Sequence, residues 1–128
     1  MTMKRLLFTM LAVTVLGIAA RAQAVIEFTE PKSHDFGIIA ENGGPVSHEF
    51  EFTNTGDKPL VIISATASCG CTRPKYPQQP VKPGQKAKIK VTYLPAGRPG
   101  EFSKTVKVKT NAPKQKRVNL KITGTVTP

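Results

Sequence analysis

The chain has 128 residues, 19 Lys and Arg against 8 Asp and Glu, a net charge of +11, two cysteines and no tryptophan. That is enough for one domain with one core and too little cysteine for a disulfide scaffold. The charge favours anionic partners, but the basic half offers only Tyr76, Tyr93 and Phe102 as stacking rings, which argues against nucleic acid.

In chain order, Lys4 and Arg5 precede an apolar run from Leu6 to Ala20, and Ala22-Gln23-Ala24 follows. A charged start, a short apolar middle and an A-x-A ending predict a cleaved secretory signal peptide over residues 1–24 and a mature domain over 25–128. The run is shorter than the roughly 20 residues a membrane-spanning helix needs, and no later segment is apolar enough to span a bilayer. The expected location is therefore periplasmic or extracellular. The mature part is lopsided: Val25 to Thr72 carries 2 basic and 7 acidic residues, Arg73 to Pro128 carries 14 basic and 1 acidic.

Seven short strands are predicted. Val25–Phe28 reads as an edge strand closed by Pro31, and His34–Ile39 follows. Asn42-Gly43-Gly44-Pro45 is a turn. Ser47–Asn54 alternates strictly, with His48, Phe50 and Phe52 on the inward face, as a half-buried strand does. After the turn at Thr55–Pro59, Leu60–Ala67 reads as a central strand. Parity there puts Val61, Ile63, Ala65, Ala67, Cys69 and Cys71 on one inward row. Arg73–Gly84 holds four prolines and reads as a loop or a broken edge strand. Lys86–Leu94, Phe102–Thr110 and Val118–Val126 close the chain, each with an apolar inward row. Short strands separated by turn signals, with no helical periodicity, indicate an all-β, seven-stranded immunoglobulin-like sandwich.

His34-Asp35-Phe36-Gly37, Phe50-Glu51-Phe52-Thr53-Asn54-Thr55-Gly56, Pro59-Leu60, Ser68-Cys69-Gly70-Cys71-Thr72, Pro83-Gly84 and Gly124-Thr125-Val126 occur in this order. The pattern resembles the DUF1573 family of exported bacterial proteins and is similar to the ASH and major-sperm-protein-like immunoglobulin domains. The resemblance spans about residues 30 to 126. It implies the sandwich fold, an envelope location and an interaction or scaffolding role rather than a reaction.

Two features carry chemistry. Cys69 and Cys71 lie within about 7 Å by chain geometry, so a disulfide forms only if the backbone bends, for which Gly70 is suited. The alternatives are thiols packed at a strand end, a redox pair, or two thiolates for a soft ion such as Cu(I). No cofactor is assigned and no metal ligand set, since only His34 and His48 remain as further ligands and His48 falls on a core-facing position. The second feature is a candidate anionic-partner surface: Lys86, Lys88 and Lys90 share one outward row, and Lys107, Lys109, Arg117 and Lys121 hold other outward positions. An immunoglobulin-like order would pair the Ser47–Asn54 and Lys86–Leu94 strands and set Glu49 and Glu51 across from lysines, neutralising part of that surface. G-x-S-x-G, H-E-x-x-H and phosphate-cradling glycine loops are absent. The expectation is a non-enzymatic binding or structural module of the cell envelope, whose partner is a protein or an anionic envelope polymer. The alternative is a thiol-redox or copper-binding protein built on Cys69-Gly70-Cys71.

Overall fold

A computed structural model describes residues 22–128, so the expected signal segment lies almost wholly outside the described residues. The strands are β1 (Ile26–Phe28), β2 (Ser33–Ala40), β3 (Val46–Asn54), β4 (Ile62–Ala67), β5 (Thr72–Lys75), β6 (Lys86–Tyr93), β7 (Gly100–Thr110) and β8 (Arg117–Thr127). They form two four-stranded sheets, β1-β3-β6-β5 and β2-β8-β7-β4. Neighbours are antiparallel except β2 and β8, which run parallel. No helix among the described residues is long and apolar enough to cross a membrane.

Period-2 alternation places the core. Phe50 and Phe52 of β3 and Ile89, Val91 and Tyr93 of β6 face Phe102, Val106 and Val108 of β7 and Leu120, Ile122 and Val126 of β8, all buried. Fully burying a side chain of this size stabilises the fold by about 1.5–3 kcal/mol. Tyr93 and Phe102 stack across the two sheets with ring centroids 3.8 Å apart. Phe102 lies opposite Gly124 in the β7–β8 register, and a Cβ at Gly124 would stand 2.7 Å from its ring. The glycine of Gly124-Thr125-Val126 thus leaves room for an aromatic ring over the backbone.

The other motif residues have equally local causes. Gly37 has φ +69°, beside a bulge in β2 between Asp35 and Ile38, and its N–H donates to Asp35 Oδ1 at 2.8 Å. Asp-Phe-Gly is therefore a bulge with its own cap, the φ being one that glycine tolerates. Asn54 is fully buried. Its Nδ2 donates to the carbonyls of Lys58 and Val81 at 2.7 and 2.9 Å, and its Oδ1 accepts from Gly56 and Val25 N–H at 3.0 and 3.4 Å. Gly56 admits the backbone of residues 23–25, because a Cβ there would collide with Gln23 O and approach Val25 N to 2.7 Å. Gln23 N–H donates to Asp57 Oδ1 at 2.7 Å, Asp57 N–H returns a bond to Gln23 O at 3.0 Å, and Ala24 is buried.

Two expectations are corrected. The described residues form eight strands, not seven, because Thr72–Lys75 pairs with β6. Pro74 is tolerated there because β5 is an edge, where a missing N–H interrupts no second ladder. The inward row of the fourth strand also differs. Ile62 pairs with Thr110 but Ser64 with Lys109, so one extra residue is inserted. This bulge flips the parity: Leu60 and Ile62 point inward, whereas Val61 and Ile63 are exposed. Beyond the bulge Ala65, Ala67 and Cys69 pack on the core as their spacing implies.

His48 faces inward, as read, and its ring lies flat on that of His34 at 3.8 Å. Phe36 and Phe50 close the stack edge-on, and Glu30 Oε2 is 3.8 Å from His48 Nε2. Burial, and secondarily the His34 charge, push the His48 pKa below its ordinary 6.5, against the opposing pull of Glu30 and Glu49. The unfolded chain then takes up the proton first. Stability should be full above pH 6.5 and fall as pH drops below it. Thermal melts between pH 7.5 and 5, buffer ranges chosen to bracket the ordinary histidine value, should show this fall in wild type and a smaller one in His48→Gln. Parallel pH profiles would mean the stack does not couple to protons.

Candidate functional site

The seven outward cations do not form one surface. Lys86, Lys88 and Lys90 lie on the outside of the β1-β3-β6-β5 sheet, and Lys107, Lys109, Arg117 and Lys121 lie on the outside of the opposite sheet. On the first face the β3–β6 register sets Glu49 opposite Lys90 and Glu51 opposite Lys88. Lys86 reaches Glu51 at 3.8 Å and Lys88 reaches Glu49 at 3.6 Å. These exposed pairs contribute at most about 1 kcal/mol each and offset the charge of Lys86 and Lys88 alone, since the β5–β6 register sets Lys75 opposite Lys90 and neither makes a salt bridge among the described residues.

The second face is built differently. Lys109 sits directly opposite Arg117, Lys107 opposite Asn119, and Thr105 opposite Lys121. Lys107 is thus diagonal to both Arg117 and Lys121, and the four cations are contiguous on two adjacent strands. Like charges set directly opposite one another destabilise a sheet. Among the described residues, no salt bridge is made by these four. Lys107, Lys109, Arg117 and Asn119 line a shallow surface depression with Thr66 of β4. At the far end Lys121 borders Asp35 and Glu101, which limits the cationic stretch on that side. Sequence reading found the charges but not Thr66 and Asn119, whose place beside them depends on the β4–β7–β8 register.

The cysteines occupy the corner where the chain leaves β4, an edge of one sheet, and enters β5, an edge of the other. They are disulfide-bonded, with Cα atoms 5.2 Å apart. The corner is a turn closed by Thr72 N–H donating to Cys69 O at 3.2 Å, and Leu94 N–H donates to Cys71 O at 2.8 Å. Cys71 is fully buried, whereas Cys69 is half-buried at the edge of the core. Cys71 N–H donates to Cys69 Sγ at 3.1 Å, and Thr72 Oγ1 lies 3.6 Å from Cys71 Sγ. No group of three or more His, Cys, Asp or Glu among the described residues is arranged to hold a metal ion.

No curated protein matches the sequence. Among solved structures, a protein of unknown function from Porphyromonas gingivalis W83 is similar with TM-score 0.71 and 18% identity, over 86% of this chain and 50% of that one. The chain thus spans half the length of that structure. The ASH/PapD-like domain 7 of human CEP192 is similar with TM-score 0.61 and 16% identity, over 87% of this chain and 91% of that one. The VesB protease of Vibrio cholerae is similar with TM-score 0.61 and 16% identity, over 80% of this chain but 32% of that one. At such identities the likeness is one of fold, and it agrees with the immunoglobulin-like sandwich. The family profile described as "Protein of unknown function (DUF1573)" matches residues 26–126, from the first residue of β1 to the last buried residue of β8; the chain belongs to this family.

Proposed function

We propose that this chain is an exported, non-catalytic immunoglobulin-like binding module of the bacterial cell envelope, and that its ligand is an anionic envelope polymer held on the outside of the β2-β8-β7-β4 sheet. The observation that carries the reading is the run of four contiguous cations on β7 and β8: Lys107, Lys109, Arg117 and Lys121 have no carboxylate in ion-pair contact among the described residues, whereas the opposite face sets Lys86 and Lys88 against glutamates and leaves a shorter bare pair, Lys75 opposite Lys90. An arrangement that destabilises the free sheet is relieved when an anion lies across it. Lys4, Arg5, the apolar run to Ala20 and the alanines that follow support export. The ASH/PapD-like likeness supports a module that works by contact rather than by turnover.

The test is binding to a sulfated polysaccharide such as heparin, by titration at several salt concentrations. Lys109→Glu/Arg117→Glu should weaken binding about tenfold or more, equivalent to roughly 1.4 kcal/mol, and should flatten the salt dependence. Lys86→Glu/Lys88→Glu, on the opposite face, should change affinity by less than about threefold. Equal losses from the two variants would leave only diffuse attraction to net charge and reject the site. No polyanion binding by the wild type, with capture of an acidic protein instead, would reject the polymer as ligand.

A further inference from the structure

We infer that the Cys69–Cys71 bond is a thiol–disulfide exchange site, in which an external thiolate attacks Cys69 and Cys71 is the leaving group. The inference does not depend on the cationic face.

The first reason is that the bond has little structural work. It joins residues two apart in sequence, so it closes a very small loop and removes little entropy from the unfolded chain. The corner is held without it. The turn bond from Thr72 to Cys69, the Leu94 bond to Cys71, the β4–β7 ladder and the β5–β6 ladder are all made by backbone groups and involve neither sulfur. Cys71 is packed among buried apolar side chains.

The second reason is the asymmetry of the two sulfurs. Exchange requires a thiolate to reach one sulfur in line with the bond to the other. Cys71 is fully buried, so approach is to Cys69, which is only half-buried. The Thr72 hydroxyl, 3.6 Å from Cys71 Sγ, is placed to donate to the departing thiolate. The Cys71 amide, which already donates to Cys69 Sγ, favours the thiolate form of Cys69 once it is released.

A thiolate RS⁻ forms an S–S bond to Cys69 Sγ while the Cys69–Cys71 bond breaks, and its electron pair leaves on Cys71 Sγ. A second thiol of the same donor, deprotonated, then attacks the donor sulfur of the mixed disulfide and releases Cys69 as a thiolate. The donor dithiol is oxidised by two electrons and the cysteine pair is reduced. Run backwards, the same steps reduce a donor disulfide. The partner class is therefore a dithiol-bearing protein, with glutathione as its small-molecule probe.

The test uses the folded chain in glutathione redox buffers, quenched with acid, alkylated and weighed. The native protein should be reduced without denaturant, and its midpoint of melting should move by less than about 5 °C, little more than the shift for 1 kcal/mol in a domain of this size. With oxidised glutathione, Cys71→Ser should form an adduct on Cys69 on the order of tenfold faster than Cys69→Ser forms one on Cys71. Should either serine variant fail to fold, brief treatment of the wild type with limiting glutathione and peptide mapping reads the same point, with the adduct expected on Cys69. The inference is overturned by a bond that reduces only in denaturant, by a melting point that falls by more than about 10 °C on reduction, or by an adduct on Cys71.

Discussion

Asn54→Ala is expected to destabilise the domain by about 3 kcal/mol. The domain matched by the family spans residues 26–126, so the melting point should fall by roughly 10–20 °C. Asn54 lies where three segments meet. It donates to Lys58 O in the turn after β3 and to Val81 O in the segment before β6, and accepts from Gly56 and from Val25 just before β1. Alanine removes every one of these bonds at a fully buried position. Val81 O keeps a second donor, Leu60 N–H at 2.9 Å, so the loss falls mainly on the amides of Val25 and Gly56. Asn54→Asp is the sharper probe. It keeps the acceptor but turns a carboxylate toward two carbonyl oxygens. It should be at least as destabilised at neutral pH and recover in acid, where a protonated carboxyl regains one donor. Urea denaturation of the three proteins measures both. A loss below about 1 kcal/mol for Asn54→Ala would mean that water replaces the side chain.

The second large effect is expected at Gly124. A Cβ there would stand 2.7 Å from two ring carbons of Phe102 and 3.1 Å from Gly37 O. The ring has little room to retreat, because its other face is stacked on Tyr93 across the core. Gly124→Ala should therefore destabilise by about 2 kcal/mol, typical of overpacking in a full core. Phe102→Leu should relieve part of that in the double variant while being destabilising alone. Additive losses in that double-mutant cycle would show that the methyl group meets something other than the ring.

Much of the fold is legible in the sequence because alternation is a direct physical signal. A strand with one face on the core must place apolar residues at every second position, and Phe50/Phe52, Ile89/Val91/Tyr93 and Leu120/Ile122 do so. The pairing of Glu49 and Glu51 with lysines is legible for the same reason, once the β3–β6 pairing is assumed. The fourth strand resists this reading. Leu60-Val61-Ile62-Ile63 is apolar at every position, so nothing in it marks the bulge that turns Val61 and Ile63 outward. A four-residue edge strand containing Pro74 is equally hard to separate from a loop, since its pairing depends on β6 rather than on its own residues. For the candidate site, the charges are visible in the sequence. That Lys109 stands opposite Arg117 and Lys75 opposite Lys90 is not, because both depend on strand registers that the residues themselves do not announce.

The seating of Gln23 and Ala24 against the turn after β3 bears on where the proposed export signal would be cut. Scission after Ala24 would discard the residue whose carbonyl receives Asp57 N–H and leave vacant the buried position of Ala24 that Gly56 is shaped to serve. Scission two residues earlier, after Ala22 in Ala20-Arg21-Ala22, keeps both. It would also turn the Gln23 nitrogen, 2.7 Å from Asp57 Oδ1, from an amide into an α-ammonium, so that such a cut would itself create an ion pair. A mature protein whose sequencing starts at Gln23 carries that pair, and one that starts at Val25 has lost it.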